Sequence, residues 1–175
     1  EFGACVFDVT LDCEDGAPVG GEADHAALVT ELALNAPPDA RVAVRVNPDF
    51  ELKGSGMKMG GGPKQFGVDV EQMPQLLADI GRAGLDFEGF HLFAGSQNLR
   101  AESICEAQQK SYELPLQLAE HAPGPLRFLN LGGGFGVPYF PGEQRLDVRP
   151  IADNLAALVE RARVDFPQVD MVIEL

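Results

Sequence analysis

Leu126-Arg127-Phe128-Leu129-Asn130-Leu131-Gly132-Gly133-Gly134-Phe135-Gly136 is a short apolar run that breaks into four glycines within five residues. A run of that length reads as a buried strand. Glycines at its end let the backbone approach an anion closely and aim several N–H groups at it. A turn built only for close packing is the competing reading. The spacing is not Gly-x-Gly-x-x-Gly, and no acidic residue ends a strand about twenty residues on, so a dinucleotide site is disfavoured.

Outward from this stretch, apolar runs rich in Val, Ile, Leu and Phe alternate with segments of helical period, the pattern of βα units on a parallel sheet. Strands are predicted over residues 4–12, 41–46, 87–93, 126–131 and 169–174, and helices over 23–34, 70–83, 101–121 and 148–166. This is an α/β pattern amounting to about half of an eight-stranded barrel, a partial (β/α)8 TIM barrel whose open sheet edges need partners. An open doubly wound sheet is the alternative. Polar residues and glycines gather after the strands, at Asn47-Pro48, Gly95-Ser96-Gln97 and Gly132-Gly133-Gly134, where both folds hold ligands. Residues 49–67 contain six glycines and three lysines in nineteen residues, which predicts a mobile active-site loop without regular structure, or else a surface insertion. Residues 134–143 form a second loop punctuated by proline and glycine.

The chain carries 27 acidic and 13 basic residues, a formal charge of -14, which repels nucleic acid and anionic membrane and favours a small-molecule partner. Cys5, Cys13 and Cys105 match neither a zinc site nor a disulfide framework, so reduced thiols and a cytoplasmic location are expected. No apolar run has the length of a membrane span, and no metal site is expected in the strand-end cluster. The missing initial methionine and the ending at Val172-Ile173-Glu174-Leu175 read as a fragment.

Four features carry chemistry. Besides the glycine run, Gly89-Phe90-His91-Leu92-Phe93-Ala94-Gly95-Ser96-Gln97-Asn98 is an apolar strand ending in small polar residues, with Ser96 able to hydrogen-bond a phosphate and an adjacent ring able to stack on a flat cofactor. His91 alone also fits a satisfied core histidine. Glu174 closes an apolar strand and could keep a heteroaromatic nitrogen protonated. Arg45, in Arg45-Val46-Asn47-Pro48, needs an anionic partner inside the sheet, whether a ligand or a structural carboxylate.

Together these residues resemble the alanine-racemase-like barrel of the ornithine/diaminopimelate/arginine decarboxylases, fold type III among pyridoxal 5'-phosphate (PLP) enzymes. The resemblance covers about residues 41–175. It is nearest to exosortase- and exopolysaccharide-associated diaminopimelate-decarboxylase-like proteins, through Arg45-Val46-Asn47-Pro48-Asp49, Lys53-Gly54-Ser55-Gly56-Met57-Lys58 and His91-Leu92-Phe93-Ala94-Gly95-Ser96-Gln97. It implies that Ser96, Gly132, Gly133 and Gly134 grip the PLP phosphate and that Glu174 pairs with the pyridine nitrogen. It also implies an amino-acid substrate and a homodimer in the full-length protein. The family usually reads His-x-Gly-Ser, which puts Phe93 at the ring-stacking position with His91 second on the same strand face. The family's Schiff-base lysine lies on the first barrel strand, and none of Lys53, Lys58, Lys64 and Lys110 matches it.

Residues 1–40 are read as a separate βα unit, with 41–175 as the PLP-binding part. Phe7-Asp8-Val9-Thr10-Leu11-Asp12-Cys13-Glu14-Asp15-Gly16 resembles the strand-end acidic segment of citrate-lyase-β-like (HpcH/HpaI aldolase) barrels. Asp12, Glu14 and Asp15 suit Mg²⁺, or alternatively a helix-entry loop. The two resemblances together suggest a chimera joined near residue 41, and two further functional readings stay open: a magnesium-dependent citrate-lyase-β-like lyase using Asp12, Glu14 and Asp15, and a barrel fragment without catalysis.

Overall fold

The computed structural model describes residues 20, 21, 24, 27, 28, 31, 32, 35, 41–54, 57, 58, 60, 61 and 67–173. The chain divides into two compact units, Glu1–Pro38 and Asp39–Leu175. In the first, Asp24, Ala27, Leu28, Glu31 and Leu32 are helical, within the helix expected over 23–34. The strand expected over 4–12 lies outside the described residues.

The second unit runs β1 (Arg41–Asn47), β2 (Met57–Lys58), β3 (Val68–Asp69), α1 (Met73–Ala83), β4 (Asp86–Leu92), β5 (Gly95–Ser96), α2 (Ala101–Leu118), β6 (Phe128–Asn130), α3 (Arg149–Asp165) and β7 (Asp170–Val172). Five strands form one parallel sheet in the order β3-β1-β4-β6-β7. From β1 onward the long strands are laid down side by side in chain order. A doubly wound sheet reverses direction at a switch point, whereas a barrel adds each strand beside the last. The order is therefore that of a barrel arc, as the periodicity suggests.

Register sorts the side chains into two faces. Val46, Phe90, Leu92, Leu129 and Leu131 point to the helices and are buried with Leu77, Ile80 and Tyr112. Arg45, His91, Asn130 and Val172 are cross-strand partners and form one row on the opposite face. The register shifts between Val42 and Ala43, where Phe87 and Gly89 are the successive partners and Glu88 is extra. This bulge puts both Phe87 and Phe90 in the core, with ring centroids 5.2 Å apart in an edge-on arrangement.

Each helix follows from its sequence. In α1, Met73, Leu77 and Ile80 recur at helical spacing and are buried, Pro74 occupies the first turn, and Gly84 closes the end in the left-handed region (φ 71°). Sequence places this helix from Val70; the structure makes Val70–Gln72 a 3-10 turn leading into it. Helices α2 and α3 pack together through a polar seam. Asn154 Nδ2 donates to Gln108 Oε1 (3.0 Å), Gln109 Nε2 donates to Asn154 Oδ1 (2.9 Å), and the buried Tyr112 hydroxyl donates to Asp165 Oδ2 (2.8 Å).

The stretch 49–67 departs from expectation. Met57 and Lys58 pair antiparallel with Ser96 and Gly95, and Val68–Asp69 pairs with the end of β1. Two-residue strands have no period to read, so backbone pairing here escaped the sequence pattern.

Burial, then the Asp165 carboxylate, push the Tyr112 hydroxyl above its ordinary value. The folded chain therefore holds this proton more tightly than the unfolded chain, and stability falls as pH rises past about 10. Tyr112→Phe should cost about 1 kcal/mol at pH 7 and remove that alkaline loss, as read from urea unfolding at pH 7, 9 and 10.5. An unchanged alkaline slope in the variant would contradict the assignment.

Candidate functional site

The sheet's inner face carries the predicted site residues at the C-terminal ends of its strands. Arg45, His91 and Asn130 lie in one row. One step further along, the Arg45 guanidinium sits 5.6 Å from the centroid of the Phe93 ring, a stacking cation–π contact. On the neighbouring strand end, a Cβ on Gly132 would come 2.5 Å from the Leu92 carbonyl oxygen and 3.0 Å from Phe93 Cδ2. Phe93 is thus placed between the arginine and the glycine run, and only glycine fits beside it. Arg45, His91, Phe93 and Ser96 are all half-buried, open enough on this face to meet a ligand.

The glycine run forms a pad with the segment after β4. Gly132 is left-handed (φ 70°) and its N–H donates to Asn130 Oδ1 (2.8 Å), which turns the chain sharply at the strand end. Gly134, also left-handed (φ 89°), would carry a Cβ 2.4 Å from the Gly95 carbonyl oxygen. The Asn98 N–H donates to the Gly134 carbonyl (2.9 Å), and the Gly136 N–H donates to the Asn98 carbonyl (2.8 Å). The Gln97 side chain pairs both ways with the backbone of Val137: its Nε2 donates to the carbonyl, and its Oε1 accepts from the N–H at 3.3 Å. On the other side β2 pairs with Gly95 and Ser96. None of these bonds uses the N–H of Gly133 or Gly134.

Electrostatics around the pad are local. Lys110 and Lys53 both reach Glu106, at 2.8 and 3.7 Å, and the Lys110 hydrogen bond first, then its charge, hold this carboxyl below the ordinary range. Both lysines are therefore engaged on the flank of α2, outside the Arg45-His91-Asn130 row. Burial and the nearby Glu102 push the Cys105 thiol up, so it stays protonated at neutral pH and donates toward the Pro150 carbonyl. Past the pad, Phe135 lines an apolar cleft of about 860 Å3 with Val137, Leu146, Ile151, Leu155 and Ile173.

The structure brings Arg45, His91, Phe93, Ser96 and Gly132 to Gly134 to one end of the sheet. Glu174 lies outside the described residues, as do Asp12, Glu14 and Asp15. Among the described residues no group of three His, Cys, Asp or Glu side chains could hold a metal, and no helix is long and apolar enough to cross a membrane. Asn98, Gln97 and Asn130 went unassigned in the sequence. Amides in a strand-end motif were the available signal, because such side chains tie down irregular backbone.

Residues 20–175 match the family model described as the pyridoxal-binding domain of the pyridoxal-dependent decarboxylases. The chain belongs to this family. Its cofactor is PLP. The L-glutamyl-[BtrI acyl-carrier protein] decarboxylase of Niallia circulans is 40% identical over 149 residues, 83% of this chain and 35% of that protein. Diaminopimelate decarboxylase of Thermoplasma acidophilum is 30% identical over 135 residues, 77% of this chain and 33% of that protein. Among solved structures, diaminopimelate decarboxylase from M. jannaschii in complex with L-lysine superposes with a TM-score of 0.64 at 25% identity, over 86% of this chain and 36% of that one. The chain spans about a third of the length of the curated relatives it matches.

The pyridoxal-binding domain has the chemistry its cofactor requires. A phosphate takes N–H and hydroxyl donors and a flat ring takes an aromatic face; the backbone of Gly133 and Gly134, the hydroxyl of Ser96 and the ring of Phe93 are groups of those kinds at this end of the sheet. The space that a Cβ on Gly132 or Gly134 would take is already filled by the Leu92 to Gly95 backbone, so the run keeps its shape only as glycine. Gly134→Ala is expected to lose about 1–3 kcal/mol of stability and to weaken PLP binding at least about tenfold. Gly124→Ala, where nothing lies within 4 Å of the added Cβ, should do neither. Equal PLP affinity in the Gly134 variant, measured by equilibrium dialysis, would count against the pad as the binding element.

Proposed function

We propose that this chain is the cofactor-holding part of a diaminopimelate-decarboxylase-like enzyme that removes the α-carboxylate of an amino acid. The observation that carries this reading is the convergence of Ser96, the Gly132 to Gly134 run and the Arg45–Phe93 stack at one end of a barrel arc. Bound PLP supplies a protonated pyridine ring that withdraws the electron pair left as CO₂ departs.

In this reading the Ser96 hydroxyl and the N–H groups of Gly133 and Gly134 bind the phosphate. Phe93 stacks on the ring, with His91 one step below on the same face. Arg45 supplies positive charge to the back of Phe93 and to the inner row, which favours anionic groups there. Glu174, by its family resemblance, holds the proton on the pyridine nitrogen. None of the four lysines takes the family's cofactor-linking position: Lys53 and Lys110 pair with Glu106, and Lys58 and Lys64 belong to the glycine-rich stretch. The chain is thus proposed to bind PLP without a covalent bond and to be inactive alone. In the proposal the full protein is a cytoplasmic homodimer, exopolysaccharide-associated, with an amino-acid substrate. The relatives' names specify a carrier-bound glutamyl group and diaminopimelate. The family match over residues 20–175 supports reading residues 20–40 together with the rest of the cofactor-holding part.

Titration with PLP should give a bound aldehyde absorbance that borohydride does not fix to any lysine, and Ser96→Ala should weaken binding about tenfold by removing one donor to a charged phosphate. Stoichiometric reduction onto one lysine, mapped by mass spectrometry, would refute the non-covalent reading. Absence of PLP binding would refute the functional one.

A further inference from the structure

Asn98 is the one described residue of the pad whose backbone and side chain both bridge separate segments. It is wholly buried. Its backbone is bonded on both sides to the glycine run, through Gly134 and Gly136. Its Nδ2 donates to the Lys53 carbonyl (2.8 Å), 45 residues earlier in the glycine-rich stretch, and its Oδ1 accepts from the Arg100 N–H (2.8 Å) at the start of α2. The strand that follows Lys53 lies on Ser96, the hydroxyl offered to the phosphate. Through side chain and backbone together, this one residue joins the glycine-rich stretch, the glycine run and the start of α2.

We infer that Asn98 is a positioning residue that ties the glycine-rich stretch to the phosphate pad, so that β2 and the glycine run are held on Ser96 together. The inference rests on the proposed PLP site for its effect on binding, while the tie itself is testable without ligand. Asn98 is wholly buried and both bonds are part-buried, so a substitution that keeps a polar atom at this position but removes its partner leaves that atom without solvent to replace the bond. Asn98→Asp removes only the donor. The Arg100 bond and both backbone bonds survive, while a carboxylate faces the Lys53 carbonyl. Asn98→Ala removes both side-chain bonds without burying a charge and folds where the aspartate does not.

Two readouts separate the tie from the cofactor site. In the ligand-free protein, trypsin cleavage after Lys53, followed by mass spectrometry, is expected to speed up about tenfold in either variant. With PLP, the dissociation constant should rise about tenfold in both. Ile80→Ala, which loses core packing in α1 without removing any hydrogen bond of the pad, should lower the unfolding midpoint yet leave the constant within about twofold. A cleavage rate equal to wild type overturns the tie. PLP weakening in Ile80→Ala as large as in the Asn98 variants reduces Asn98 to a general stabiliser and overturns the positioning role. Failure of the wild-type chain to bind PLP refutes the proposed function and leaves the tie to be decided by the cleavage rate.

Discussion

The glycine run can sit where it does because no side chain intervenes between it and the end of β4. A Cβ at Gly132, Gly134 or Gly136 would lie 2.4 to 2.8 Å from a carbonyl oxygen of Leu92, Gly95 or Asn98. Close approach lets the backbones of residues 95–98 and 134–136 bond to each other directly, through Asn98, Gly134 and Gly136. The conformational entropy of so many glycines opposes this order. Amide residues offset it: the buried Asn130 side chain pins the first turn, the backbone of the buried Asn98 the middle, and the half-buried Gln97 side chain the exit.

The barrel arc supplies the platform. Its helix-facing side is a packed apolar layer of Val46, Phe90, Leu92 and Leu129, while the row Arg45-His91-Asn130 on the opposite side is polar throughout. A sheet stabilised on one face can leave the other for function, and here that face ends in the glycine pad. Phe93 belongs to both, wedged against the glycine run and stacked by Arg45.

Much of this was legible in the sequence, for identifiable reasons. The long strands β1 and β4 and the three helices have apolar periods that burial dictates, and their ends fell within a few residues of expectation. The place of Ser96 and the glycines at strand ends could be read because the apolar runs stop just before them. The bulge at Glu88 could not, since Phe87 and Phe90 share a face only after one residue is looped out. Nor could β2, or the Asn98 bond to Lys53, because each depends on segments tens of residues apart meeting over the pad. Gln97 takes a positive φ of 55°, a conformation that its side-chain bonds to Val137 compensate and that no local propensity announces.

The central claim is that two unshared backbone N–H groups bind a phosphate, and amide NMR tests it most directly. On titrating the ¹⁵N-labelled chain with PLP, the amide signals of Gly133 and Gly134 should move downfield and saturate, while those of Gly124 and Gly142, which have open space around them, stay in place. Saturating shifts elsewhere in the chain, with Gly133 and Gly134 unmoved, would contradict the account.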